Sequence, residues 1–144
     1  TWFPLTVRRV LLNETYTGDI GWSDYQVSVD ARPINGDAHL LLGRAQGALR
    51  SYALALLPGR LALLRNDHGY TEAASTPFAW KHGESIRLTL RVRGGALEGS
   101  ASREGDAAPA SLAWTDPQPY LTGMIGLANQ RACRTEFRRL RVTP

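Results

Sequence analysis

The chain has 144 residues, 43% of them hydrophobic, with 14 glycines, 8 prolines, a single cysteine and a formal charge of +4. That length suits one folded domain that buries roughly two-thirds of its unfolded surface without a disulfide or zinc staple, and the apolar content excludes a disordered tail. No apolar run reaches the ~18 residues of a membrane helix, and the arginines are not interleaved with aromatics along one stripe, so neither a membrane span nor nucleic-acid binding is expected. The lysine-poor, Leu/Ala/Arg-rich usage fits a GC-rich bacterial source. The start at Thr1-Trp2-Phe3-Pro4, without an initiator Met, reads as a fragment of a longer chain.

Short apolar runs separated by turn residues follow one another along the chain. Thr6 to Leu12 is a β-branched and leucine segment. In Tyr25–Asp30 the residues Tyr25, Val27 and Val29 alternate with Gln26, Ser28 and Asp30, the period of a half-buried strand. Asn35-Gly36 is a hairpin signal, and His39 to Arg44 returns. Ser51–Leu57 and Leu61–Arg65 flank Pro58-Gly59-Arg60. Their Ala/Leu content favours helix, but Pro58-Gly59 cuts them into pieces too short for one, and a two-strand hairpin uses them better.

Ile86, Leu88, Leu90 and Val92 alternate with arginines and a threonine, the plainest strand in the chain, and Gly94-Gly95 turns it into Ala96–Ser102. Arg103 to Ala110 is the least structured stretch, and Met124–Ala128 and Glu136–Val142 complete the series. Runs at this spacing define an all-β, two-sheet sandwich or barrel. Residues 1–144 form a single domain, with at most one helical turn.

The order of the pieces carries a resemblance. Gly21-Trp22-Ser23-Asp24-Tyr25 leads into a strand, Pro77-Phe78-Ala79-Trp80 precedes Gly83-Glu84 and the Arg87–Val92 strand, and Asp116 precedes Gly123-Met124-Ile125-Gly126-Leu127. This set, spanning Thr6 to Val142, resembles the concanavalin A-like superfamily: laminin-G-like domains, some carbohydrate-binding modules and 3-keto-glycoside hydrolase-type domains. The resemblance implies an antiparallel jelly-roll β-sandwich. The Trp-Ser-Asp-Tyr and Pro-Phe-x-Trp version is also similar to an accessory domain found C-terminal to bacterial ADP-ribosylglycohydrolase-like enzymes, which implies an N-terminal catalytic domain as partner. Trp22, Phe78, Trp80 and Phe137 are expected to plug the ends of the sandwich, since large rings bury the most surface per residue.

Catalytic chemistry finds little footing. Jelly-roll glucanases align acids as Glu-x-Asp-x-x-Glu on one strand face; the nearest match, Glu104-Gly105-Asp106-Ala107-Ala108-Pro109, ends in proline and reads as loop. No Gly-x-Ser-x-Gly elbow positions a nucleophile, and His39, His68 and His82 sit in unlike settings. Asn66-Asp67-x-Gly69 places oxygen ligands in a loop, as calcium requires, but reads first as an Asx-type turn, since the sequence names no further ligands for the ion. No other cofactor is implied.

A binding site is read at Arg44, Tyr52 and Arg65. If their strands are neighbours, two arginine forks and a tyrosine converge on a shallow concave groove, where guanidinium bonds sugar hydroxyls or a carboxylate and the ring stacks on a sugar. Arg134, Arg138, Arg139 and Arg141, with Arg8 and Arg9, form the densest positive group, either a solvated sheet face or a dock for an anionic partner. The expected function is a non-catalytic accessory module recognising carbohydrate or a sugar-containing ligand. A hydrolase of the 3-keto-glycoside type and a purely structural or oligomerisation module are the alternatives.

Overall fold

The computed structural model describes residues 2–3, 14–106, 108–130 and 133–144. The expected Thr6–Leu12 segment, Arg8 and Arg9 lie outside the described residues. Among the described residues there are twelve strands: β1 (Trp2–Phe3), β2 (Glu14–Thr17), β3 (Tyr25–Asn35), β4 (His39–Ala45), β5 (Arg50–Leu57), β6 (Arg60–Asp67), β7 (Tyr70–Pro77), β8 (Ile86–Arg93), β9 (Ala96–Ser102), β10 (Ala110–Thr115), β11 (Met124–Asn129) and β12 (Arg134–Thr143). They form two antiparallel six-stranded sheets, ordered β1-β12-β3-β8-β9-β10 and β2-β11-β4-β5-β6-β7. No helix occurs among the described residues.

Alternation explains the first sheet. β8 buries Ile86, Leu88, Leu90 and Val92 and turns Arg87, Thr89 and Arg91 away, so a one-residue slip would drive arginines into the core. β3 follows the same rule with Tyr25, Val27, Val29 and Ala31. Phe137, expected at an end, is fully buried in β12 opposite Ala31, inside the sandwich.

The second sheet is buried on both faces at its centre. Leu41, Tyr52, Leu54, Leu56, Leu61 and Leu63 join the core between the sheets. Leu40, Leu42, Ala53, Ala55, Ala62 and Leu64 form a separate apolar cluster on the opposite face, each at most 6% exposed. This double burial is why β4 to β6 read as unbroken Ala/Leu runs rather than alternating ones.

Two glycines are dictated by close approach. Gly123 sits at φ +151° with its α-carbon against the Arg44 backbone, where any Cβ would overlap the Arg44 carbonyl carbon. Gly18, at φ +95°, leaves room for the Trp22 ring, which a Cβ would meet at 2.6 Å.

Candidate ligand-binding site

Pairing brings the expected trio to one end of the sandwich: Tyr52 lies opposite Gly43 on β4 and opposite Arg65 on β6. It does not array them along a groove. Tyr52 points between the sheets and is fully buried; its hydroxyl donates to Asp116 Oδ2 at 2.6 Å and accepts the Tyr120 N–H at 3.0 Å. Arg65 Nε donates to the same Asp116 oxygen at 2.8 Å, and its guanidinium lies 4.4 Å over the Tyr120 ring. Asp116 Oδ1 accepts the Gln118 N–H at 2.8 Å. Burial raises the Asp116 pKa, but the Tyr52, Gln118 and Arg65 donors outweigh it and hold the carboxylate below its usual range. Burial and the bond to Asp116 push the Tyr52 phenol well up.

Arg44 occupies a second hub at the same end. Its side chain has no exposed surface. Nε donates to Ser23 O at 3.0 Å, Nη1 to Tyr120 O at 2.9 Å and to Gly94 O, and Nη2 to Asp24 Oδ1 at 3.0 Å. Its backbone sits at φ +46° and its N–H donates to Tyr25 Oη at 2.5 Å. Burial of that phenol pushes its pKa up to about 12. Arg44 thus ties the loops after β2, β8 and β10 to the end of β4. Of the three residues, only Arg65 reaches solvent, with 23% of its side chain exposed. On the other face of β4 to β6 the leucines and alanines are themselves buried, so that face presents no open groove beside Tyr52.

The Asn66-Asp67 loop is the Asx-type turn: Asn66 Oδ1 accepts the Gly69 N–H at 2.9 Å, and Asp67 faces Arg65 and His68. Among the described residues no three His, Cys, Asp or Glu side chains group as a metal would need.

The opposite end carries a cleft of about 670 Å³, lined by Gly36 and Asp37 after β3, Pro58 and Gly59 after β5, Trp80, Lys81 and His82 before β8, and Cys133 before β12. Four connections of the jelly-roll therefore meet at one opening. Trp80 is half-buried, with its Nε1–H donating to Leu57 O at 2.7 Å, which fixes the plane of the indole. His39 packs edge-on at 5.4 Å between ring centres, and His82 sits at 5.6 Å. Both histidines reach the Gly36 carbonyl through Nε2, at 3.0 and 2.8 Å.

Because a carbonyl only accepts, His39 Nε2 carries the proton, and Nδ1 accepts the Thr135 hydroxyl at 2.5 Å. Burial lowers the His39 pKa, which keeps the ring neutral and this bond pattern intact. Asn129 Nδ2 donates in turn to Thr135 Oγ1 at 3.4 Å. The cleft floor is therefore braced through β4, β11 and β12. Its rim presents the exposed Asp37, Lys81 and His82, an acceptor, a cation and an imidazole around one indole.

Reading the sequence placed Trp80 as a plug and gave no role to Asp37, Lys81 or Asp116. The Trp80-Lys81-His82-Gly83 run, an aromatic beside polar groups in a turn, was the available signal for the cleft.

Strand order and pairing make this a concanavalin A-like jelly-roll β-sandwich. Solved structures agree. The carbohydrate-binding module CBM66 from Bacillus subtilis superposes with a TM-score of 0.77 at 14% identity, over 100% of this chain and 91% of that one. Lectin II from Ulex europaeus gives 0.66 at 8% identity, over 96% and 86%. Xylan β-1,4-xylosidase from Bacillus halodurans gives 0.65 at 12% identity, over 98% of this chain but 33% of that one. No protein-family model and no curated protein matches the sequence.

Proposed function

We propose that this domain is a non-catalytic carbohydrate-binding module whose ligand stacks on Trp80 in the loop-built cleft. The observation that carries the reading is the pinned indole, partly exposed in a cleft rimmed by Asp37, Lys81 and His82. A flat apolar ring held in a fixed plane, with hydrogen-bonding groups at its edge, matches a sugar, which has an apolar C–H face and a hydroxyl rim. Its likeness in fold to a carbohydrate-binding module and a lectin supports the same reading.

The expected Arg44, Tyr52 and Arg65 site enters this proposal in a reduced form. Arg44 and Tyr52 have no exposed surface and brace loops, while Arg65 over Tyr120 is the part a ligand can touch. We therefore place the principal site at Trp80 and treat Arg65 as the competing one. The accessory role beside a catalytic domain of the same polypeptide is part of the proposal. A structural counterpart to this domain occupying a third of a longer xylosidase chain supports it.

A glycan-array screen followed by calorimetry on the best neutral saccharide tests this. Trp80→Ala should weaken binding roughly tenfold or more, as loss of a central aromatic anchor does, while Arg65→Ala leaves it within about twofold. The reverse pattern would move the site to Arg65 and Tyr120. No saccharide bound by the wild-type domain would overturn the binding reading altogether.

A further inference from the structure

The arginines gather on the outer face of the first sheet. β3, β8 and β12 turn Arg32, Arg87, Arg91, Arg138, Arg139 and Arg141 outward, against Asp30, Glu98 and Glu136 on the same face. Two of those carboxylates are committed: Asp30 receives Arg87 at 2.8 Å and Arg139 at 3.5 Å, and Glu136 receives Arg32 at 2.7 Å.

A bulge concentrates the charge. From Thr135 opposite Pro33, β12 and β3 run in register to Arg138 opposite Asp30, and the next pair is Arg141 opposite Ser28, so β12 has an extra residue there. The surplus is taken at Arg139, whose φ of +57° is left-handed. Arg138 and Arg139 are therefore exposed side by side, while Leu140 returns to the core. Glycine would hold that backbone more cheaply, because a Cβ is strained in this region. Nothing in the sandwich packing needs arginine there, since 69% of its side chain is exposed. Bulges re-aim side chains beside binding sites.

The two arginines open onto a cleft of about 460 Å³, separate from the Trp80 opening, whose lining also includes Arg87, Arg103, Asp30 and Glu104. Arg87 is oriented by Asp30 Oδ1 and by Ser28 Oγ at 2.8 Å, and Arg103 by Glu84 Oε2 at 2.8 Å. Both terminal nitrogens of Arg87, and Nε and Nη2 of Arg103, are held by these partners and by the Ala79 carbonyl, which fixes the two forks at the cleft wall. Arg138 has no carboxylate partner among the described residues. Four guanidinium groups thus line one small cleft with two carboxylates, which leaves an excess of planar donors. That donor set suits an anion with several equivalent oxygens, each able to take a bidentate fork.

We propose that this cleft is an oxyanion site that takes a phosphate or sulfate ester. It is independent of the Trp80 cleft. The test is an NMR titration of the wild-type domain, following arginine Nε–H signals, with glucose 6-phosphate, glucose 6-sulfate and glucose at matched ionic strength. Saturable shifts with either ester and none with glucose support the site, and the ester that binds identifies the anion. Arg138→Gln with Arg139→Gly should weaken that binding by about tenfold or more, as loss of charged hydrogen bonds does. Arg139→Gly alone guards against misfolding, because the φ suits glycine, and should weaken binding by a smaller factor. Shifts that stay linear with concentration, appear equally with glucose, or persist undiminished in the double variant would overturn the proposal.

Discussion

Arg44→Ala separates an internal brace from a ligand contact. The side chain has no exposed surface, and its guanidinium serves the carbonyls of Ser23, Gly94 and Tyr120 and the Asp24 carboxylate. Truncation leaves three main-chain carbonyls without their donor, at about 1 kcal/mol each when water reaches them imperfectly, and vacates a volume whose loss adds about 1–2 kcal/mol more. The total of about 4 kcal/mol is a large share of the 5–15 kcal/mol that holds a typical domain. For a chain of this length that corresponds to a fall of roughly 10 °C in Tm. Urea unfolding followed by tryptophan fluorescence measures the difference. Below the unfolding transition, saccharide affinity should match wild type, and Arg44→Lys should lose about half as much stability because an ammonium replaces only part of the fork. An Arg44→Ala domain within about 1 kcal/mol of wild type that has nonetheless lost saccharide binding would refute the bracing argument. It would also restore Arg44 to the ligand.

Two further outcomes follow from the same geometry. Tyr52→Phe removes the hydroxyl that links Asp116 to the Tyr120 N–H, both inaccessible to full hydration, and should cost about 2–3 kcal/mol in urea unfolding. A loss under about 0.5 kcal/mol would show that Asp116 is satisfied without it. The His39 pKa is lowered in the folded state, so folding favours the neutral ring; its contribution is complete above the unfolded value of about 6.5 and is lost as pH falls from there through the folded pKa. Stability measured by urea unfolding should therefore drop between pH 7 and pH 5, and His39→Asn should flatten that slope. An equally steep slope in His39→Asn would assign the pH dependence elsewhere.

What the sequence showed of the fold depended on where each strand lies in its sheet. β3 and β8 sit in the interior of the first sheet with one face wet, and their alternation was plain. β4, β5 and β6 are buried on both faces, so the alternation disappears, and only Pro58-Gly59 argued against a helix. The strands with no clear signal, β1, β2, β7 and β10, all lie at sheet edges. Tyr70–Pro77 contains no fully buried residue, so nothing in its sequence has to alternate. An edge strand is held mainly by its neighbour's backbone, which hydrophobic patterning does not record.

The site was legible in adjacency and illegible in direction. Hairpin register places Tyr52 opposite Arg65, as turn spacing implied. Which face a residue occupies is read from the contrast between wet and dry neighbours, and in a strand dry on both faces that contrast is gone. Tyr52 therefore looked like a platform when it is a core ring whose hydroxyl serves Asp116, 64 positions away. Trp80, expected as a plug, packs against the core as such and also lines the cleft. The ring that closes the end of the sandwich against the core is also the ring that lines the cleft, because Leu57 O holds its edge while one side stays open. Plug and platform are then not competing roles. A ring immobilised by packing has already lost the rotamer freedom that ligand stacking would otherwise cost it, so the structural role favours binding at the same side chain.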